Sequence, residues 1–253
     1  MENADPQIID LLLEAHIGLD RQGPGSSEVI NQALGFLGSP DQFGEIADLG
    51  CGTGGQTMIL AEHLPGKITG LDMFPSMIGV FNSNAKKKNL ENRVKGIVGN
   101  MENLPFQQNS LDLIWSEGAI DNIGFREGLS HWRNFLKPSG FLAVSCPSWL
   151  TKEHPAEVEQ FWSDAGSHLD PIEKNIGIML DCGYAFIAAF VLPENCWTDN
   201  YFYPREKAIQ TLLRKYNHSE TMKVYAEINR REVDLYMKYK QHYGYVFYIG
   251  KAI

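Results

Sequence analysis

The sequence lacks an excess of positive charge. Its 22 lysine and arginine residues face 31 aspartate and glutamate residues, so the formal net charge is −9 at pH 7. Proteins that bind nucleic acid usually present a basic surface to the phosphates. The only basic cluster, Lys86 to Lys88, is better explained as the solvated end of a helix. We therefore expect no nucleic-acid partner.

Cysteine is also scarce and is not arranged in pairs. The four cysteines are widely and irregularly spaced, and none forms a C-x-x-C motif; they are Cys51, Cys146, Cys182 and Cys196. Such spacing predicts free thiols in a reducing compartment and no metal site.

Long hydrophobic runs are missing as well. The longest apolar run near the end, Ala185 to Leu192, is far shorter than the roughly 20 residues that cross a bilayer. The first residues, MENADPQIIDLLLEAH, are acidic and amphipathic, whereas a secretory leader has a basic start and an apolar centre. These features predict a soluble cytoplasmic protein without a membrane partner.

The most informative stretch runs from Glu45 to Thr57 and reads EIADLGCGTGGQT. The apolar residues between Ile46 and Leu49 predict a short buried strand. Glycines follow at the alternate positions Gly50, Gly52 and Gly54, and a helical run comes next. A strand, a glycine turn and a helix open a nucleotide-binding α/β fold, because the turn needs positive φ and bare backbone against the ligand.

The glycines alone leave the ligand ambiguous. Gly50, Gly52 and Gly55 also satisfy G-x-G-x-x-G, the dinucleotide pattern. Asp48 helps to separate the two readings, because a carboxylate at the predicted strand end would repel a pyrophosphate and attract a cationic ligand.

In this turn the sequence resembles the class I S-adenosylmethionine-dependent methyltransferases, whose first motif is D-x-G-x-G-x-G. Asp48, Gly50, Gly52 and Gly54 match it position by position. The resemblance covers residues 45–146 well and the flanks only in layout. It implies S-adenosylmethionine as cofactor and a small-molecule methyl acceptor, with a weak preference for the quinone- and sterol-type C-methyltransferases.

Strands alternate with helices along the chain, which predicts a parallel sheet with right-handed crossovers. The resemblance implies a Rossmann-like, doubly wound α/β fold of seven strands, with an antiparallel last strand beside strand six and a helical, aromatic cap. We expect a single methyltransferase domain over residues 1–253. Its parts are N-terminal cap helices at 1–44, a cofactor-binding core at 45–146, and a substrate-side excursion with strands six and seven and two helices at 147–253.

Four further residues are candidates for the nucleoside end of the cofactor. Asp72 ends strand two, about twenty residues after the turn, where an acid can accept both ribose hydroxyls. Capping of the next helix is its alternative role. Met73 can pack on the adenine or simply in the core. Asn100 and Met101 end strand three, where the family usually has an aspartate, and Asn100 keeps an acceptor oxygen.

Glu117 and Arg21 are candidates for the reacting end. Glu117 ends strand four, where the family's crevice opens, and is the candidate catalytic residue. It can hold the methionine ammonium, orient a substrate or act as a base. The segment Ser116 to Ala119 lacks the Asn/Asp-Pro-Pro-aromatic motif of amino-group methylases of bases and glutamines. Arg21 can pair with the methionine carboxylate or an acidic substrate. Surface positions are the alternative for both.

Substrate contacts are expected from an aromatic cap. Trp149, Trp197 and Tyr201 follow strands five and six and can wall an apolar pocket, as His16 can from the N-terminal helix. Ordinary core packing is the alternative for each. The absence of a catalytic dyad does not exclude methyl transfer, since alignment and desolvation supply most of the catalysis.

Two other functions stay open on the sequence. One is a nicotinamide-dependent oxidoreductase, and the other is a non-catalytic nucleoside-binding regulatory protein. A homodimer is also possible.

Overall fold

The computed structural model describes residues 6–253; residues 1–5 of the predicted N-terminal cap lie outside this range. One eight-stranded sheet runs through the described chain in the order β3-β2-β1-β4-β5-β8-β7, with the two-residue β6 beside β5. The strands are β1 Glu45–Leu49, β2 Lys67–Asp72, β3 Val94–Val98, β4 Leu111–Glu117, β5 Leu136–Trp149, β6 Asp170–Pro171, β7 Tyr184–Val191 and β8 Tyr243–Ala252.

Helices cover both faces of this sheet. They are α1 Pro6–His16, α2 Ser27–Leu34, α3 Gly55–His63, α4 Pro75–Lys87, α5 Phe125–Trp132, α6 Ala156–Asp164, α7 Ile172–Asp181, α8 Glu194–Trp197, α9 Tyr203–Lys215 and α10 Glu220–Tyr239. Short turns of 3₁₀ helix lie at Pro40–Gln42 and Ile120–Asn122, and a π-helical turn lies at Thr198–Phe202. Across residues 6–253, no helix is both long and apolar enough to span a membrane.

Strand direction confirms the predicted architecture. Neighbouring strands from β3 to β5 pair in parallel, and β8 lies antiparallel between β5 and β7. The chain order reverses between β1 and β4, which are adjacent in the sheet but far apart in sequence. In open α/β sheets the ligand crevice lies at the carboxyl ends of such a strand pair.

The structure differs from the prediction in strand number and length. β6 is an additional strand of two residues, so the sheet has eight strands where seven were predicted. β4 ends at Glu117, as predicted, and Glu117 pairs with Ser145, whereas β5 continues through Trp149, which was expected to follow it and which pairs with Tyr243. These ends are ordered by their partner strands, which a strand's own composition does not reveal.

The N-terminal helix packs against the last two helices of the chain. Leu11 and Ala15 of α1 join a cluster with α9 and α10, whose other buried members are Ile209, Leu212, Leu213, Met222, Tyr225 and Ala226. A strongly apolar helix must bury its face, and here it does so beside the sheet and not within it.

A buried ion pair holds this helical layer together. Arg205 of α9 is 2% exposed, and its Nη1 donates to Glu232 Oε2 of α10 at 2.6 Å and to the Tyr201 hydroxyl at 2.5 Å. The guanidinium also lies over the Tyr201 ring, 4.3 Å from its centroid. Tyr201 in turn faces His16, at 6.2 Å between ring centroids. The Arg205–Glu232 pair therefore holds Tyr201 in place, and the end of α1 at His16 lies against Tyr201.

We predict that Glu232→Gln lowers the free energy of unfolding by about 3–5 kcal/mol, because Arg205 is left as an uncompensated buried charge. Urea denaturation at neutral pH measures the change. Glu220→Gln, on the exposed start of the same helix, is the matched control and should stay within about 0.5 kcal/mol of the parent. Equal stability of both variants would contradict the buried pair's role.

Candidate functional site

The glycine turn between β1 and α3 lies at the predicted crevice. Gly50, Gly52 and Gly54 have φ angles of +73°, +53° and +83°, a region that side-chain-bearing residues rarely adopt. The amides of Gly50 and Cys51 donate to the Leu71 carbonyl at 2.8 and 3.1 Å. The turn is therefore fixed to the end of β2.

Asp72 fixes the same turn through its side chain. Its Oδ2 accepts from the Gly52 amide at 2.9 Å, and its Oδ1 accepts from the Phe74 amide at 3.0 Å. Both oxygens keep a further lone pair with which a ligand hydroxyl can bond. Burial raises the pKa of the Asp72 carboxyl. The structure thus joins two predicted cofactor residues. Asp72 also forms a turn ahead of α4 through the Phe74 amide, but it does not cap the helix, whose N-cap residue is Phe74.

Asp48 lies behind the glycine turn and is 0% exposed. The Thr57 hydroxyl of α3 donates to its Oδ2 at 2.5 Å, while Oδ1 has no hydrogen-bond partner within residues 6–253. Burial raises the pKa of this carboxyl to about 7. The side chain bonds to α3, and a role of Asp48 in binding the cofactor stays a prediction.

The nucleoside candidates lie around the same edge. Met73 is 59% exposed directly after β2. Asn100 is exposed, and its amide side chain bonds to Glu102, accepting from the backbone N–H at 2.9 Å. The sulfur of Met101 lies 3.5 Å from the point where a Cβ on Gly50 would stand. Two methionines therefore flank the turn, and the acceptor oxygen of Asn100 already has a local partner.

Residues 19–25, which we call the strap, cross the glycine turn. Gln22 Nε2 donates to the Thr53 hydroxyl at 3.0 Å, and Gln22 Oε1 accepts from the Thr53 amide at 3.1 Å. A Cβ on Gly52 would lie 2.2 Å from Gln22 Oε1. Asn200 donates to the Gly25 carbonyl at 2.8 Å from the other side. Sequence reasoning missed Gln22, since no motif marks it.

An ion pair connects the strap to β4. Arg21 Nη1 donates to Glu117 Oε2 at 2.8 Å, and the two side chains are 10% and 5% exposed. Trp115 Nε1 donates to the other oxygen, Glu117 Oε1, at 2.9 Å. Arg21 Nη2 is buried without a hydrogen-bond partner in the described chain. The two residues predicted at the reacting end therefore meet, and one guanidinium donor remains available.

The aromatic residues predicted to wall a pocket lie in a buried cluster, as their alternative role in core packing requires, and a substrate wall stays a prediction. Trp197 stacks on Tyr236 at 4.3 Å and meets Tyr245 edge-on at 5.1 Å between ring centroids. Tyr245 reaches the crevice, since its ring lies 3.1 Å from where a Cβ on Gly118 would stand. Trp149 belongs to the same cluster but is buried further away, stacked on His154.

His16 and Tyr201 lie at the junction of α1 with the helical layer. His16 is buried and its Nδ1 bonds to the Leu12 carbonyl at 2.8 Å. Burial lowers the pKa of His16 to about 4, so the ring is neutral at physiological pH. Both side chains are packed in the interior, which agrees with core packing, the alternative role that the sequence left open for them. A substrate contact for either residue stays a prediction.

We predict that Asp48→Asn flattens the pH dependence of stability between about pH 4 and pH 7. A folded-state pKa near 7, above the ordinary value near 4, means that the folded protein loses stability as pH rises through this window. The neutral amide avoids that loss, which amounts to at most about 4 kcal/mol for three pKa units. Urea denaturation across this window measures it, with the exposed Asp181→Asn as control. Parallel profiles for parent and Asp48→Asn would contradict the buried carboxyl's effect.

Part of the chain is similar to known methyltransferases. Residues 46–140 match the family described as methyltransferase domain. Over 107 residues the chain is 30% identical to a sterol 24-C-methyltransferase of Gibberella zeae, covering 42% of this chain and 28% of the relative. Over 120 residues it is 35% identical to a trans-aconitate 2-methyltransferase of Escherichia coli, covering 46% and 45%. The chain thus spans less than half the length of these relatives.

Solved structures share the fold across most of the chain. YjhP from Escherichia coli superposes with a TM-score of 0.78 at 19% identity, covering 96% of this chain and 99% of that one. Geranyl diphosphate C-methyltransferase from Streptomyces coelicolor superposes with a TM-score of 0.66 at 16% identity, covering 90% and 76%. The [4+2]-cyclase SpnF has a TM-score of 0.73 at 16% identity, covering 97% and 92%.

The glycine turn, the strand order and these comparisons confirm the predicted resemblance to the class I S-adenosylmethionine-dependent methyltransferases, and residues 46–140 match a methyltransferase domain.

Proposed function

We propose that the chain transfers a methyl group from S-adenosylmethionine to a small-molecule acceptor. The observation that carries the proposal is the bond from the Gly52 amide to Asp72, which joins the D-x-G-x-G-x-G turn to the acid that follows it. The bound cofactor supplies a methyl group activated by sulfonium. The chain's own residues then have to position both reactants and exclude water.

The residues around the turn fit the nucleoside. Asp72 accepts the ribose hydroxyls through the lone pairs that its two amide bonds leave free. The exposed side chain of Met73 covers one side of the adenine, with Met101 on the glycine side. Asn100 stands where the family usually has an aspartate, and it offers its acceptor oxygen to the nucleoside. Gly50 and Gly54 supply the positive φ angles that the turn needs and leave room for Ala119 and Phe81, which a Cβ at either position would meet.

The Arg21–Glu117 pair fits the amino-acid end. A guanidinium with one donor unpaired binds a carboxylate, and Glu117 attracts the α-ammonium beside it. Asp48 adds negative potential near the sulfonium. In this proposal the contact between Arg21 and Glu117 weakens when the cofactor binds. Arg21 then pairs with the methionine carboxylate, and Glu117 pairs with the methionine ammonium.

We assign the acceptor to the space between the strap and the aromatic cluster. Residues 1–44 then act as a cap, residues 45–146 as the cofactor-binding core, and residues 147–253 as the substrate side, with Trp197 as its nearest wall. The four cysteines are free. Free thiols and the acidic net charge support work in the cytoplasm on a small molecule and not on nucleic acid.

The alternatives predict different ligands. A nicotinamide-dependent oxidoreductase binds NAD or NADP, and a regulatory protein binds the nucleoside but forms no product; the comparisons support neither. Isothermal titration with S-adenosylhomocysteine, NAD and NADP separates the first alternative. We expect a heat of binding in the titration with S-adenosylhomocysteine and none in the titrations with NAD and NADP. Binding of NAD instead would overturn the proposal.

We predict that Asp72→Ala weakens S-adenosylhomocysteine binding at least a hundredfold, because two charged hydrogen bonds of about 1.5–3 kcal/mol each are lost. Isothermal titration measures the dissociation constant, and circular dichroism checks that the variant is folded. Asp181→Ala removes an exposed aspartate far from the turn and should leave the constant unchanged. An unchanged constant in folded Asp72→Ala would refute the ribose assignment.

We predict that the strap opens in the free protein and closes on ligand. No backbone amide from Asp20 to Gly25 donates to a backbone carbonyl in the described chain, so side-chain bonds and the burial of Pro24 and Gly25 hold the segment. Hydrogen-exchange mass spectrometry should show fast exchange in the strap, slowed by S-adenosylhomocysteine. Arg21→Ala should weaken that protection, whereas the surface variant Arg126→Ala should not. Strong protection of the strap without ligand would rule out a lid.

A further inference from the structure

Asp121 is a partly buried acid to which the proposed function gives no task. It lies in the 3₁₀ turn Ile120–Asn122, directly after β4. The Ser167 hydroxyl donates to its Oδ2 at 2.8 Å. Its other oxygen, Oδ1, is buried and has no hydrogen-bond partner within residues 6–253. A buried carboxylate oxygen without a partner is costly, so a native protein keeps one only for a reason.

The turn that carries Asp121 borders the glycine turn. Ala119, two residues earlier, has its Cβ 2.3 Å from the point where a Cβ on Gly50 would stand. Gly118 lies against the ring of Tyr245. The turn Ile120–Asn122 packs against β5, the strand that carries Cys146. The negative charge of Asp121 also contributes to the raised pKa values of Cys146 and Tyr245. Asp121 therefore lies between the glycine turn and the aromatic wall, on the acceptor side.

The charges around the crevice favour a cationic acceptor. Three acids ring the turn, Asp48, Asp72 and Glu117, and Asp121 is a fourth. Arg21 is the guanidinium that reaches this edge, and it is already paired with Glu117. S-adenosylmethionine adds one net positive charge, which leaves a negative excess. Four acids against Arg21 and the cofactor leave two negative charges, and of the acids Asp121 is the one that the proposed function assigns to neither Arg21 nor the cofactor.

We propose that Asp121 binds the nitrogen of an aliphatic amine acceptor and takes its proton. The inference rests on the proposed function and adds the acceptor class. As the ammonium N–H proton passes to Asp121 Oδ1, the nitrogen lone pair forms a bond to the methyl carbon. The electron pair of the broken C–S bond stays on sulfur, which gives S-adenosylhomocysteine and a methylated amine. Burial raises the pKa of Asp121 and so makes it a better proton acceptor.

The missing amino-methylase motif agrees with this class. Asn/Asp-Pro-Pro-aromatic motifs serve the weakly nucleophilic nitrogens of bases and glutamine amides, whereas an aliphatic amine needs mainly the loss of a proton. Anionic acceptors, which the names of the trans-aconitate and geranyl diphosphate enzymes describe for those proteins, would face an uncompensated carboxylate here. The free donor of Arg21 is the competing feature, since it can hold an acceptor carboxylate.

The test identifies the charge of the product. A metabolite extract is incubated with the full chain and trideuteromethyl S-adenosylmethionine, and labelled products are separated by ion exchange and recognised by mass. Labelled amines in the cationic fraction are expected. Label only in anionic or neutral products would overturn the amine class and leave the proposed function intact. No label in any fraction would refute the proposed function, and this inference with it.

Variants then test Asp121 itself on the labelled amine. Asp121→Asn should lower kcat about a hundredfold, the range of a lost general base. The S-adenosylhomocysteine dissociation constant should be unchanged, and the melting temperature should not fall below that of the parent, because the variant removes a costly buried charge. Asp181→Asn is the control and should keep full activity. Ser167→Ala, which loses the positioning hydroxyl, should lower kcat about tenfold, and Ser167→Thr should restore it. Full turnover by folded Asp121→Asn would overturn the assignment.

Discussion

The site depends on the bonds that the glycine-turn amides make to the end of β2. Gly50 and Cys51 donate to the Leu71 carbonyl, and Gly52 donates to the Asp72 carboxylate. Backbone donors buried at a strand end need such partners, and positive φ angles keep the amides directed towards β2. The strap then rests on a surface whose shape is already fixed, so the turn determines where Gln22 and Arg21 lie.

This arrangement costs stability, because several charges around the turn are removed from water. Asp48 is buried with one oxygen unpaired, and the Arg21–Glu117 pair gains less from attraction than it loses in hydration unless further bonds satisfy it. Trp115 provides one such bond to Glu117. Proteins concentrate unfavourable features of this kind at functional sites and compensate elsewhere, here through the large aromatic core.

The sequence predicts most of the fold and only part of the site. Apolar runs ending in glycine or acid predicted β1 to β3 closely, since those signals are local. The ends of β4 and β5 depend on partner strands, and the two-residue β6 leaves no periodic signal. Gln22 contacts Thr53 across 31 positions and Asn200 contacts Gly25 across 175. Contacts of that range arise from the topology and carry no motif, so the strap's role emerged only from the structure.

The fold by itself leaves the reaction undecided, because the [4+2]-cyclase SpnF shares it at a TM-score of 0.73. What distinguishes such proteins is the set of groups at the carboxyl ends of β4 and β5. Here that set is acidic and aromatic: Asp121 held by Ser167, with Tyr245 beside Gly118. A low-dielectric wall strengthens the field of a carboxylate next to it. In the proposed site, the burial of the Asp121 carboxylate lowers the stability of the protein. A cationic acceptor beside it offsets that loss and an anionic acceptor adds to it, so the same burial favours a cationic acceptor over an anionic one.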